Sequence, residues 1–179
     1  EADGVQLHIR VHPGGAFSDL LVGALAPGDA LRLVLAPGEA GPGDDPDRPL
    51  LLLATGTGFA PVASILEDAA RRRWRRPLLL YRGGRMPEDL YLPELALRWA
   101  KRLRFREVAL LSRPAAGWAG RVARVQHAAA EDWPDMAGVE VYAAGSPAMV
   151  SAARLLFTER HGLKPEAFHA DAFVPAGDA

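Results

Sequence analysis

The sequence has 179 residues, with 21 Lys+Arg against 22 Asp+Glu for a formal net charge of −1. At 49% hydrophobic and 24% charged residues it can bury an ordinary core and is not intrinsically disordered, and so even a balance of charge offers no field to hold a phosphate backbone, so no nucleic-acid partner is expected. The absence of Cys excludes, within this chain, a disulfide, a Cys-ligated zinc or iron–sulfur centre and a thiol nucleophile.

The chain starts at Glu1 without a Met and enters the run VQLHIRVH at once, so the natural protein is expected to begin earlier. Residues 5–12 alternate as a strand does and are stopped by Pro-Gly-Gly at 13–15. A short helix is predicted over 18–26, with Ser18 as its N-cap and Pro27-Gly28-Asp29 as its stop. Residues 30–35 alternate again, and a Gly/Pro/Asp loop at 38–49 marks a boundary between residues 1–48 and 49–179. Beyond it, apolar runs at 50–54, 78–81, 105–111 and 139–144 alternate with helical patterns at 61–76, 93–103 and 147–161, the last stopped by Gly162. Strand and helix in alternation predict an α/β fold, a parallel sheet flanked by helices. Pro61 is placed at the first position of its helix and Arg71, Arg72 and Arg73 at the negative end of its dipole, which accounts for RRRWRR without a ligand.

The segment ATGTGFAP, residues 54–61, joins a buried strand to a helix, where open parallel sheets bind ligands. Gly56 and Gly58 allow a tight turn and close approach to a phosphate, and the free N–H groups of the helix favour its charge. The pattern is not GxGxxG, since Pro61 stands where the third Gly would be, and the second strand ends in YRGGR rather than in an acid. Other chemistries have little support. The only lysines, Lys101 and Lys164, do not follow a Gly, so there is no phosphate loop of the GK[ST] kind, and no GxSxG nucleophile elbow occurs. His8 and His12 are about 13 Å apart on a strand, too far to share a metal. His127 and His161 have no ligand-spaced partners, and His169 is expected to face either a flavin or solvent. Asp44, Asp45 and Asp47 read as a solvated loop. No metal site is expected, no apolar run is long enough to span a bilayer, no membrane partner is expected, and the cytoplasm is the default compartment.

ATGTGFAP, LYRGGRMPEDLYLPEL (80–95), LLSRPAAGWAGRV (110–122), VYAAGSPAMV (141–150) and FHADAF (168–173) together resemble the nicotinamide-binding domain of ferredoxin–NADP reductase-like flavoproteins. The likeness is greatest to reductase components of bacterial oxygenases and the related glucoseen-type reductases. The resemblance implies a Rossmann-like domain preceded by a partial antiparallel β-barrel that binds FAD. On LHIRVHPGGAFSDLL (7–21) it implies FAD contacts from His8, Ile9, Arg10, Gly15, Ala16, Phe17 and Ser18, with Ser18 and the helix N–H groups at the pyrophosphate. The family's Arg-x-Tyr-Ser flavin signature would precede residue 1. For NAD(P)H it implies Gly56, Thr57, Gly58 and Pro61 at the nicotinamide end and diphosphate, Gly84 and Arg85 along the adenylate, and Ser112 and Arg113 at the adenosine ribose or its 2′-phosphate. Arg121 either adds to a 2′-phosphate site or faces water. NADH and NADPH both stay open, with a lean to NADH.

Where the family reads Cys-Gly-Pro-Pro-x-Met, this sequence has Ala144, Gly145, Ser146, Pro147, Ala148 and Met149. Ala144 thus stands in place of a thiol beside the reacting nicotinamide, which implies a slower reductase rather than an inactive one. Phe173 matches a terminal aromatic that shields the flavin, and Asp171 an acid nearby. The function implied is hydride transfer from NAD(P)H to FAD, then single electrons to a ferredoxin-like iron–sulfur protein or domain and a downstream oxygenase, with Glu88, Asp89 and the 44–47 acids as steering charges. Alternatives are a non-catalytic dinucleotide-binding module and a reductase that reports straight to oxygen or a haem protein.

Overall fold

A computed structural model describes residues 4–32, 41–43, 45–114 and 116–173. The chain forms two compact units, Glu1–Glu39 and Ala40–Ala179.

In the first unit the one helix among the described residues is α1, Ala16–Gly23. It starts two residues before the predicted Ser18, and Gly15 is its cap. Ser18 is instead a buried residue of the first turn whose hydroxyl accepts the His12 N–H at 3.0 Å. The helix ends early because the N–H groups of Ala24 and Leu25 both turn back to the Leu20 carbonyl, after which Asp29 closes the next turn by accepting the Ala26 N–H at 2.8 Å. Residues 5–12 form no strand ladder, and neither do residues 30–32. Their alternation is nonetheless physical, since Val5, Leu7, Ile9 and Val11 all present apolar side chains to the exterior. A strand requires the N–H and C=O groups of a neighbour, and no antiparallel pairing occurs among the described residues. The rest of the strand predicted at 30–35, and Asp44, lie outside the described residues.

The second unit is a sheet of six parallel strands in the order β4-β3-β2-β1-β5-β6 among the described residues. Its strands are β1 Leu50–Thr55, β2 Leu78–Gly84, β3 Phe105–Leu111, β4 Arg121–Val122, β5 Glu140–Gly145 and β6 Phe168–Ala172. The helices are α2 Phe59–Arg72, α3 Glu94–Ala100, α4 Val125–Asp132 and α5 Pro147–Arg160. Two core layers explain why β1 is apolar from Leu50 to Ala54. Leu50, Leu52 and Ala54 pack with Phe59, Val62, Leu66 and Trp99 on the α2/α3 side. Leu51 and Leu53 pack with Ala128, Ala129, Ala153 and Phe157 on the α4/α5 side. All four leucines are fully buried, each contributing about 1.5–3 kcal/mol.

The helix α2 begins two residues before Pro61, which therefore occupies the third helical position, still within the turn whose N–H groups lack helical acceptors. It ends at Arg72 rather than 76 because Arg73 takes a left-handed conformation, φ 56°, and the Trp74 N–H returns to the Ala69 carbonyl. Arg71 and Arg72 pair with Asp68. The turn sends Arg76 inward, where it is 2% exposed and meets Glu140 at 2.6 Å at the amino end of the sheet. Glu140 also accepts the Gly43 N–H and meets His169 Nε2 at 2.8 Å, with the His169 side chain about one quarter exposed. Burial alone would push the Glu140 carboxyl up, but the Gly43 N–H, Arg76 and His169 together hold it below the usual carboxylate range. Among the described residues no helix is long and apolar enough to cross a membrane.

Candidate functional site

The connections leaving β1 move the chain toward β2 and β3, while β5 and β6 lie on its other side. The carboxyl ends of β1 and β5 therefore flank a topological switch point, the place where parallel sheets open a crevice. Gly56–Gly58 form a single 3₁₀ turn there and lead directly into α2. Gly58 has no room for a side chain, because a Cβ would overlap the Ala144 carbonyl. Gly145, at φ 141°, is equally confined by Thr55, whose hydroxyl accepts the Ser146 N–H at 3.4 Å. Gly56 differs: its φ is 55° and a Cβ there would meet nothing within 4 Å, so that side of the turn is open. No side chain caps α2, and the N–H of its first residue, Phe59, is donated back to the carbonyls of Gly56 and Thr57, so turn and helix are continuous. Ser146 caps α5 by accepting the Met149 N–H at 3.3 Å, and Pro147 is the first helical residue, as predicted.

A second group assembles at the ends of β2 and β3. Ser112 donates its N–H to the Gly84 carbonyl at 2.9 Å and its hydroxyl to the same oxygen at 3.3 Å, while Arg113 donates its N–H to the Arg85 carbonyl at 3.3 Å. Asp89 shapes this turn, accepting the N–H groups of Arg85 at 2.7 Å and Met86 at 3.2 Å. Gly84 is required beneath it, since a Cβ would lie 2.7 Å from that of Asp89. Arg85 and Arg113 are thus neighbours with exposed side chains, and among the described residues neither makes an ion pair. Two adjacent cations beside a serine suit a phosphate-bearing group. Arg121 does not join them. It is held by Glu131 and by Asp132 at 2.9 Å, and Asp132 also accepts the Tyr81 hydroxyl at 3.1 Å.

Ala144 is fully buried within the α2/α3 layer, so its methyl group is packing and its carbonyl is what faces Gly58. Met149 is likewise a core residue of the opposite layer. Asp171 accepts the Tyr142 hydroxyl at 3.2 Å, and burial, followed by Asp171, pushes that hydroxyl up. Phe173 donates its N–H to the Gly145 carbonyl at 2.8 Å, and its side chain is 38% exposed. Its backbone is therefore fastened to the β5 loop. In the first unit, Gly15 brings no side chain to cap α1, leaving the N–H groups of Ala16, Phe17 and Ser18 without helical acceptors. Ile9 and Arg10 lie in the exposed segment before it, where His8 is half-buried.

Thus Gly56, Thr57, Gly58, Pro61, Gly145, Ser146 and Pro147 gather at one switch point, and Gly84, Arg85, Ser112 and Arg113 at the neighbouring strand ends. Sequence reasoning passed over Thr55, the partner of Gly145, and Arg82, a charged residue inside an apolar strand. It also passed over Trp118, whose ring lies so close to Gly120 that no Cβ would fit. The aromatic and the small residue two positions apart were the available signal.

Residues 52–155 match the family described as the oxidoreductase NAD-binding domain. The chain is 38% identical over 97% of its length to the reductase component 1 of terephthalate 1,2-dioxygenase from a Comamonas species, of which it covers 52%. It is 31% identical over 95% of its length to the NAD(P)H-flavin reductase of Vibrio harveyi, covering 74% of that protein. Among solved structures, the Amycolatopsis cytochrome P450 reductase GcoB superposes with a TM-score of 0.79 at 33% identity, over 94% of this chain and 52% of that one. The chain thus spans about half the length of several relatives that it matches.

Proposed function

From the premise that the chain belongs to the oxidoreductase NAD-binding domain family, we propose that it takes a hydride from NAD(P)H onto FAD and passes electrons singly to an iron–sulfur or oxygenase partner. The observation that carries this reading is the closed pair of glycine contacts at the switch point, Gly58 on Ala144 and Gly145 on Thr55, beside the open side of Gly56. The nicotinamide and the flavin supply the redox chemistry, one donating a hydride and the other converting an electron pair to single electrons.

The protein's part is binding and orientation. Gly56, Thr57 and Gly58 bring backbone N–H groups and the α2 N-terminus to a diphosphate. Gly145 and Ser146 bound the nicotinamide end, and Phe173, anchored through its N–H, covers it with its ring. Arg85, Ser112 and Arg113 receive the adenosine end, and their two cations accept a 2′-phosphate as readily as a ribose. In the first unit Ala16, Phe17 and Ser18 offer N–H groups to the FAD pyrophosphate, with Arg10 adding charge and with flanking contacts from His8, Ile9 and Gly15. That unit is read as part of a flavin-binding barrel, supported by the exposed alternation of residues 5–11 and by the greater length of the relatives. The likeness to a dioxygenase reductase component and to a cytochrome P450 reductase supports an electron-accepting protein partner.

The test is an anaerobic visible spectrum of the FAD-loaded, desalted protein as NADH and then NADPH is added. Flavin absorbance that bleaches with either nucleotide is expected, and the nucleotide effective at lower concentration identifies the preference. Calorimetric binding of a nucleotide without bleaching would favour the non-catalytic module instead. No binding of either would overturn the reading.

A further inference from the structure

Arg82 is the interior residue of β2 that breaks its apolar run, and at 2% exposed it is as buried as the leucines around it. A buried guanidinium is tolerated only where its charge and its donors are met. Here they are met by groups from three different elements. Its Nη2 donates to the Tyr91 carbonyl, its Nη1 lies 3.6 Å from the Glu107 carboxylate of β3, and its guanidinium carbon sits 3.6 Å from the centroid of the Phe59 ring and 5.2 Å from that of Tyr91. Phe59 in turn meets Tyr91 edge-on at 5.5 Å and Trp99 at 6.0 Å.

The placement of these partners matters more than their number. Phe59 is the first residue of α2 and follows Gly58 directly, so whatever fixes its ring fixes the end of the glycine turn. Tyr91 ends the segment that carries Arg85 and Asp89, and it precedes Leu92, a non-glycine residue held at φ 52°. A β-carbon residue adopts that conformation only where its surroundings hold it there. One buried cation therefore lies beneath both halves of the candidate nucleotide site, the diphosphate turn and the adenosine-side loop. An apolar side chain of similar volume would fill the space but could not grip the Tyr91 carbonyl.

We infer that Arg82 is a positioning residue, tying the Gly56–Gly58 turn through Phe59 to the Arg85–Leu92 loop through Tyr91 and thereby setting the span across which a dinucleotide binds. This rests on the reading of the site as a dinucleotide site.

The experiment measures the Kd of NADH and NADPH by calorimetry for the wild type, Arg82→Met and Arg82→Lys, with amide hydrogen exchange on each without nucleotide. Arg82→Met is expected to weaken nucleotide binding about tenfold or more, and Arg82→Lys about threefold, because an ammonium keeps the charge but cannot hold a carbonyl and a carboxylate in the fork geometry of Arg. Exchange is expected to rise across 85–92 while β5 stays protected. Folded variants that bind as the wild type does, or exchange that rises equally throughout the chain, would overturn the inference. Should Arg82→Met fail to fold, Arg82→Lys decides by the same readings. A wild type that binds neither nucleotide overturns the reading of the site itself, whereas wild-type binding with unaltered variants overturns only the role of Arg82.

Discussion

Gly56 and Gly58 belong to one turn, yet they are glycines for different reasons. At Gly58 the obstacle is a backbone carbonyl, which cannot swing aside, so Gly58→Ala has to push the turn away from β5. At Gly56 there is space, and only the left-handed φ of 55° resists a side chain. Gly56→Ala is expected to cost about 1–2 kcal/mol, the penalty of that conformation. Gly58→Ala is expected to cost about 3 kcal/mol or more and to abolish nucleotide binding. Urea denaturation midpoints check the order, and a larger loss at Gly56 would contradict it. The same distinction governs Ala144, whose buried methyl is replaceable only by something that fits the α2/α3 layer. Because that methyl lies within the layer, Ala144→Cys is expected to leave the rate of flavin reduction in rapid mixing unchanged, and a marked acceleration would show that the side chain reaches the crevice.

At the scale of elements, two polar ties join strands of the sheet to the segments packed against them. Arg76, Glu140 and His169 join the segment after α2, the start of β5 and β6, and Arg76 also donates to the carbonyls of Gly43 at 2.7 Å and Asp45 at 3.2 Å. Arg76→Met leaves Glu140 buried without its cation and is expected to cost about 3–5 kcal/mol, the usual result of removing one partner of a buried pair. A loss under about 1 kcal/mol in denaturant unfolding would show the pair to be dispensable. The second tie is looser. Arg121 on the two-residue β4 reaches Asp132 at the end of α4 with both side chains about one third exposed, so Asp132→Ala is expected to cost only about 1 kcal/mol. Its signature is local, faster amide exchange at 121–123 with β1 unchanged.

The whole molecule carries a pH limit set by its tyrosines. Tyr81 is pushed up to about 12 by burial and then by Asp132, Tyr142 is pushed up by burial and then by Asp171, and burial raises Tyr91 against the pull of Arg82. These are all three tyrosines of the chain. Unfolded tyrosine ionises near pH 10, so the folded state binds these protons more tightly than the unfolded one above that pH. The stability they contribute is full below about pH 10 and is lost as pH rises from about 10 toward 12. Phenolate absorbance is expected to stay flat through pH 10 and to appear above it together with the loss of circular dichroism. Phenolate growth at pH 10 with the fold intact would refute this.

Composition and periodicity determined the α/β class and four of the six strands among the described residues, because buried strands in a parallel sheet must be apolar on both faces and helices must carry a stripe. The order of residues also determined which glycines matter, since ATGTGFAP and AAGSPAM each combine a strand end, small residues and a proline at a helix start. Tertiary structure alone decided what those residues touch. The two-residue β4 has too little sequence to show a period, β6 lies in a segment whose FHADAF pattern carries no long apolar run, and α4, rich in alanine, has a weak stripe. Ser18 looked like a cap because its type favours caps, but Gly15 took that place once His12 needed the hydroxyl. Arg82, Arg76 and His169 show the general reason: a charge in a sequence signals exposure by default, and only packing from distant elements can supply the partners that let it be buried.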